Sequence, residues 1–98
     1  MELRHLRSFV VLAEERHFGR AAARLHLAQP ALSQQVKQLE RELGVALLTR
    51  TTRRVEVTEA GARFADHART VLADVERTRD DMALVASGRA GRVSVGFI

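Results

Sequence analysis

The stretch that decides the fold is residues 25–43, LHLAQPALSQQVKQLEREL. Its second part predicts an amphipathic helix, because apolar residues recur with the 4-3-4 spacing of one helical face: Leu32, Val36, Leu39 and Leu43. The opposite face is polar and mildly basic, with no carboxylate before Glu40: Ser33, Gln34, Gln35, Lys37, Gln38 and Arg41. Such a face suits duplex DNA, whose grooves present hydrogen-bonding base edges between rows of phosphates.

A turn and a shorter helix precede this helix. Pro30 fits the first helical turn, where its missing N–H would have no partner, and Gly44 fits the position just past a helix end. We therefore predict a helix from Pro30, or the next residue, to Gly44. The alanine-rich segment 20–26 predicts a short helix with Gly19 as its N-cap, and residues 27–29 form the turn. Together these elements predict a helix-turn-helix unit.

Two further elements complete this module. A first helix is predicted over residues 3–16 from the spacing of its apolar residues: Leu3, Leu6, Phe9, Val10 and Ala13. Apolar residues 45–48 and the alternating residues 55–57 predict two short strands, joined by a hairpin whose tip carries three arginines: Arg50, Arg53 and Arg54. A basic hairpin beside a helix-turn-helix indicates contact with phosphates or the minor groove. The alternative is a solvated turn with incidental arginines.

The last long element is a helix from Thr58, a suitable N-cap, to about Ser87. It carries a heptad-like seam: Phe64, Ala68, Val71, Val75, Thr78, Met82 and Val85. At about 1.5 Å per residue this helix is on the order of 43 Å long, too long to pack wholly on the preceding residues. We predict that the seam forms a homodimer interface. The alternative is a helix that packs on another part of a larger protein.

The chain divides into three predicted segments. Residues 1–58 form a winged helix-turn-helix domain, residues 59–88 a dimerisation helix, and residues 89–98 a hinge followed by an alternating strand, which suggests the first strand of a further domain. Residues 1–58 contain ten lysines and arginines against six acidic residues, whereas residues 59–98 contain six of each. This distribution favours a basic nucleic-acid-binding module joined to a neutral element.

Composition argues against several other classes of protein. The 98 residues contain no cysteine, which excludes disulfides and thiolate metal sites, and no apolar run long enough for a membrane span or signal peptide. The histidines at 5, 17, 26 and 67 lack metal-ligand or catalytic spacing. We expect a cytosolic protein that is not an enzyme and has no metal, cofactor or membrane partner.

Three segments resemble the DNA-binding domain of LysR-type transcriptional regulators: AAARLHLAQPALS at 21–33, QLERELGVALLTR at 38–50 and RRVEVTEAG at 53–61. The resemblance covers about the first 88 residues, with residues 62–88 similar to the family's linker helix. It implies a mainly α winged helix-turn-helix that dimerises through antiparallel linker helices and binds an interrupted inverted repeat in double-stranded promoter DNA. It also implies a C-terminal domain that senses a small-molecule effector, and a tetramer remains open for the complete protein.

The predicted DNA-binding residues lie on the second helix of the pair and on the hairpin. They are Gln29, Pro30, Ser33, Gln34, Lys37, Gln38, Arg50, Arg53 and Arg54. Two residues depart from many relatives: Ala28 replaces a serine and Gln34 replaces an arginine. Because glutamine prefers an adenine edge and arginine a guanine edge, we expect a different half-site. A helical protein-interaction module without DNA binding is the alternative function.

Overall fold

The computed structural model describes residues 1–50 and 54–88. Within these residues the chain forms four helices and two strands: α1 (Leu3–Glu15), α2 (Phe18–Leu25), α3 (Gln29–Leu43), β1 (Leu48–Arg50), β2 (Val55–Val57) and α4 (Glu59–Ala86). This order confirms the predicted mainly α fold, with three helices, a two-stranded wing and a long final helix.

The helix ends agree with the sequence in two places and differ in one. Gly44 ends α3 in the left-handed conformation, at a φ of 73°, and Pro30 lies in the first turn. Thr58 caps α4 because its Oγ1 accepts the Gly61 N–H at 3.0 Å. The predicted start of α2 is wrong: the helix begins two residues earlier, and its N-cap is His17 rather than Gly19. The His17 ring supplies an acceptor that a glycine lacks.

The core forms where α1, α2 and α3 meet. Its largest fully buried side chains come from α1, from α3 and from the residue before β1: Phe9, Leu12, Leu32, Val36, Leu39 and Leu47. Ala21 and Ala22 are also buried, where their small side chains leave room for the neighbouring helices. The predicted stripe of α3 is buried over its first three members, whereas Leu43, at the end of the helix, is 38% exposed.

The wing is an antiparallel pair that begins later than predicted. Leu48 pairs with Val57, Thr49 with Glu56 and Arg50 with Val55. The predicted first strand over 45–48 is therefore wrong: Val45 precedes the strand and is exposed, whereas Leu47 is fully buried in the core. Residues 51–53, which include the predicted tip residue Arg53, lie outside the described residues, as do residues 89–98.

The first turns of α4 belong to the same core as the three preceding helices. Gly61 packs so closely against Leu47, the residue before β1, that a Cβ at this position would overlap the Leu47 carbonyl oxygen. Ala65 and Ala68 are buried, and the Phe64 ring meets that of Phe9 edge to face at 5.4 Å between centroids. Beyond Val75 every described residue of α4 is exposed, along a molecule whose longest extent is 60 Å.

Candidate nucleic-acid interface

The outward face of α3 is an exposed polar surface, which we name the α3 outer face. Its exposed members are Gln29, Pro30, Gln34, Lys37, Gln38 and Arg41, and Ser33 is half-buried beside them. The face is rigid because the opposite stripe of the same helix, Leu32, Val36 and Leu39, is fully buried. The structure thus brings together all the predicted contact residues of this helix.

The N-terminus of α3 opens onto this face without a side-chain cap. Ala28 occupies the cap position and has no acceptor to offer the first turn. Because the first backbone N–H groups of a helix point outward and carry the positive end of its dipole, this end favours an anion.

The start of α2 lies beside the start of α3. The His17 Nδ1 accepts the Arg20 backbone N–H at 3.0 Å, and a Cβ on Gly19 would lie 2.9 Å from the His17 ring and 3.8 Å from the Gln29 Oε1. Gly19 therefore provides the space in which the capping ring and the Gln29 side chain come together. Together with α3 they border a shallow depression lined by Phe18, Gln29, Pro30 and Ser33.

The three arginines predicted at the hairpin tip have different positions. Arg50 is the last residue of β1, and Arg54 is exposed immediately before β2. Arg53 lies outside the described residues, so its predicted role remains a prediction.

Charges are paired on one flank of the molecule and open on the α3 outer face. Arg24 binds Glu14 at 2.8 Å and Glu15 at 3.1 Å, and Arg20 binds Glu15 at 3.3 Å. The hydrogen bond from Arg24 lowers the pKa of Glu15, and the one to Glu14 raises the pKa of Arg24. Within residues 1–50 and 54–88, neither Lys37 nor Arg41 forms an ion pair. These cations remain available to an outside anion.

Arg41 extends the outer face beyond the predicted contact residues. It lies one helical turn from Lys37 and two turns from Gln34, so all three project from the same side of α3. Arg41 belongs to the polar face that the sequence predicts, but it is not among the predicted DNA-binding residues. Its spacing of four from Lys37 is the signal that identifies it.

The predicted dimer seam on α4 divides into two parts. Ala68 is buried against Leu6 and Val10 of the same chain, and Phe64 packs beside it. Val75 is half-buried next to the start of α1, in a groove that also contains Arg4 and Arg7. The remaining members are exposed: Val71, Thr78, Met82 and Val85. Of the predicted seam residues, these exposed four are the ones available to another molecule.

The described part of the chain contains neither a metal-binding cluster nor a membrane-spanning helix. No cluster of three or more histidine, aspartate or glutamate side chains there is placed to hold a metal ion. None of the helices that the structure describes has both the length and the apolar character to cross a membrane.

The helix pair, the wing and the exposed polar face of α3 together define a winged helix-turn-helix DNA-binding protein. The model of the bacterial regulatory helix-turn-helix proteins of the lysR family matches residues 3–62, and the chain belongs to this family. It is a DNA-binding domain of a family of transcriptional regulators, not of enzymes.

Similar proteins include regulators from two bacteria. The transcriptional regulator AlsR of Bacillus subtilis is 50% identical over 98 residues, which cover all of this chain and 32% of AlsR. The dual regulator OxyR of Escherichia coli is 45% identical over 98 residues, which again cover 32% of the relative. The chain thus spans about a third of the length of these relatives.

Solved structures with the same fold include two complexes with DNA. The BenM DNA-binding domain bound to the catB site 1 DNA superposes with a TM-score of 0.87 at 45% identity, covering 91% of this chain and 96% of that one. The CbnR DNA-binding domain in its DNA complex gives a TM-score of 0.84 at 41% identity, covering 88% and 99%.

Proposed function

We propose that this chain is the DNA-binding portion of a transcriptional regulator that binds an interrupted inverted repeat as a homodimer. The observation that carries the proposal is the α3 outer face: polar, without a carboxylate among its exposed members, and fixed by a fully buried stripe behind it. A rigid helix with this face can enter a major groove, where base edges differ in donor and acceptor pattern.

Residues of the α3 outer face divide between reading bases and holding phosphates. Gln34 and Gln38 carry amide side chains, which pair with the N6 and N7 edge of adenine. Gln29 and Pro30 lie at the uncapped helix start, where backbone N–H groups favour a phosphate, and Ser33 lies beside them. Lys37 and the neighbouring Arg41 add positive charge, since neither forms an ion pair within residues 1–50 and 54–88.

The wing contributes arginines to the adjacent minor groove. Arg50 ends β1, Arg54 precedes β2, and Arg53 lies between them in sequence. Cations in a narrow minor groove bind its enhanced negative potential rather than a particular base. These arginines therefore hold the protein on DNA more than they select a sequence.

The exposed part of α4 supports a homodimer. Val71, Met82 and Val85 are 41%, 53% and 49% exposed on a helix that continues well past the core. An antiparallel partner would cover them and place two copies of α3 about 34 Å apart, or a small multiple of that distance, along one face of the duplex. We propose that this homodimer acts in the bacterial cytoplasm. The complete protein carries an effector-binding domain in addition.

A titration with mixed-sequence duplex DNA tests this function. Fluorescence anisotropy at low salt should show binding whose affinity falls as salt rises, because counterions are released from each phosphate that is contacted. Arg53→Ala should reduce the slope of that dependence by about one unit, while Arg77→Ala, a cation on α4 that pairs with Asp74, should leave it unchanged. A helical interaction module, which the same exposed face of α4 would also suit, would show no salt-dependent binding.

A further inference from the structure

Glu40 is the one acidic residue between Gln29 and Arg41, yet its charge does not face outward with the rest. The side chain is half-buried on the last turns of α3. Its Oε2 accepts two successive backbone N–H groups, from Leu47 at 2.8 Å and from Leu48 at 3.2 Å. A carboxylate that accepts two amides forms charge-assisted hydrogen bonds, which are stronger than neutral ones. Its charge is therefore satisfied within the chain.

The two amides lie at the point where the chain enters the wing. Leu47 is fully buried, and Leu48 is the first residue of β1. A buried backbone N–H must find an acceptor, and Glu40 provides one for both residues. The consequence is a direct link between α3 and the first strand of the wing, across a separation of seven and eight residues.

The opposite side of the same backbone segment is held by the start of α4. The Thr58 N–H donates to the Leu47 carbonyl at 3.1 Å, and the Thr58 Oγ1 donates to the Ala46 carbonyl at 2.7 Å. We name residues 46–48 and Thr58 the wing base. Both strands leave from it, since β1 begins at Leu48 and β2 ends one residue before Thr58.

On one side the Gly61 N–H donates to the Thr58 Oγ1 and links the wing base to α4, and on the other side the Glu40 carboxylate links it to α3. We propose that Glu40 is a positioning residue for DNA binding: its carboxylate fixes the wing relative to the α3 outer face, so that both reach the same stretch of duplex. This inference rests on the proposed function. Glu40 acts through the Leu47 and Leu48 amides and does not contact DNA.

Three variants separate this role from a general effect on folding. Glu40→Ala removes the oxygen that accepts both N–H groups, and Glu40→Gln keeps an amide oxygen that can accept the same N–H groups. Glu42→Ala is the matched control, because Glu42 is an exposed carboxylate on the same helix whose partner is the N-terminal amino group at 3.1 Å. All three are assayed as the 98-residue chain, with circular dichroism at the binding temperature to give the folded fraction.

Hydroxyl-radical footprinting on a duplex selected from a random library provides the decisive readout. Glu40→Ala should lose protection at the flanks, where the wing lies, and keep it at the centre of each half-site. Its salt slope should fall by about two units, one for each of Arg53 and Arg54. Glu40→Gln should restore at least half of the lost flank protection, and Glu42→Ala should match the unmodified chain.

The opposing outcomes are distinct. Unchanged flank protection and slope in Glu40→Ala, or a loss at centre and flank in proportion to its unfolded fraction, would overturn the role of Glu40 and leave the proposed function intact. If Glu40→Ala does not fold, the test rests on Glu40→Gln. An equal loss of protection at the centre and the flanks in that variant would also overturn the role of Glu40. No footprint from the unmodified chain would overturn the proposed function itself, and the role of Glu40 with it.

Discussion

Helices α3 and α4 each bury one stripe and expose another, but what they expose is opposite in character. The exposed side of α3 consists of amides, a lysine and an arginine around Gln34, and within the described residues its cations form no ion pair. The exposed far part of α4 carries Met82, Leu84 and Val85, each about half exposed, among acidic and basic side chains that pair with one another.

This difference indicates which kind of partner each helix accepts. An uncompensated polar surface gains little from covering by an apolar partner, but it gains from phosphates and base edges. An exposed apolar stripe gains from burial, at roughly 25 cal/mol for each Å² removed from water. We therefore propose DNA as the partner of α3 and a second copy of the chain as the partner of α4. Four substitutions, taken from the largest expected effect to the smallest, test this division.

The largest effect is expected at the buried side of α3. Leu39→Ala should lower the free energy of unfolding by roughly 2–5 kcal/mol, because it opens a cavity at a fully buried position. Leu43→Ala is the control on the same helix, where a 38% exposed side chain should cost well under half as much. Urea unfolding followed by circular dichroism measures both. Equal losses of unfolding free energy in the two variants would mean that Leu43 is buried as completely as Leu39.

The next effect concerns the exposed part of α4. Val85→Asp should convert a dimer to a monomer, because an interface that buries an unpaired charge is strongly destabilised. Ala83→Asp places the same charge on another side of the helix and should leave the dimer intact. Light scattering gives the mass of each. A dimeric Val85→Asp variant would remove the far part of α4 from the interface, while circular dichroism should show the folded module unchanged in both.

A smaller effect is expected from the amide at the centre of the α3 outer face. Gln34→Ala should weaken binding to a selected duplex by roughly 1–3 kcal/mol, since a bidentate contact to a base edge is lost. Binding to an unrelated duplex should change little, and the unfolding free energy should stay the same because the side chain is exposed. Anisotropy titrations against both duplexes make the comparison. Equal losses on the two would assign Gln34 to phosphate contact.

The smallest effect is expected from a cation on the same face. Lys37→Ala should weaken binding to all duplexes about equally and lower the salt slope by about one unit. Arg69→Ala is the control, because Arg69 lies on α4 and already pairs with Asp66 at 3.2 Å. A series of titrations over salt concentration measures the slopes. A Lys37→Ala slope equal to that of Arg69→Ala would exclude Lys37 from the phosphate contacts.

Periodicity was enough to predict α3, the end of α3 at Gly44, the cap of α4 at Thr58 and the mainly α winged fold. These features depend on neighbours within a few residues, so the local sequence contains their cause. The α3 outer face followed from the same spacing, since a buried stripe fixes which side of a helix is exposed.

Features that depend on distant contacts could not be predicted in the same way. Heptad spacing does not reveal which molecule covers a stripe, so it could not separate Ala68, buried against α1, from the exposed Met82 and Val85. The start of α2 depends on a histidine ring that fits beside Gly19. The strand β1 begins late because Leu47 is needed in the core, and Glu40 finds its amides only after the chain has folded back.

Selection of duplexes from a random library by this chain tests the central claim most directly, that two copies of the α3 outer face read one duplex. We predict that the enriched sequences contain two half-sites in inverted orientation, whose centres are about 10 base pairs apart or a small multiple of that spacing. Gln34→Ala should relax the preference at one position within each half-site. Enriched sequences without two-fold symmetry, or no enrichment over the starting library, would contradict the account.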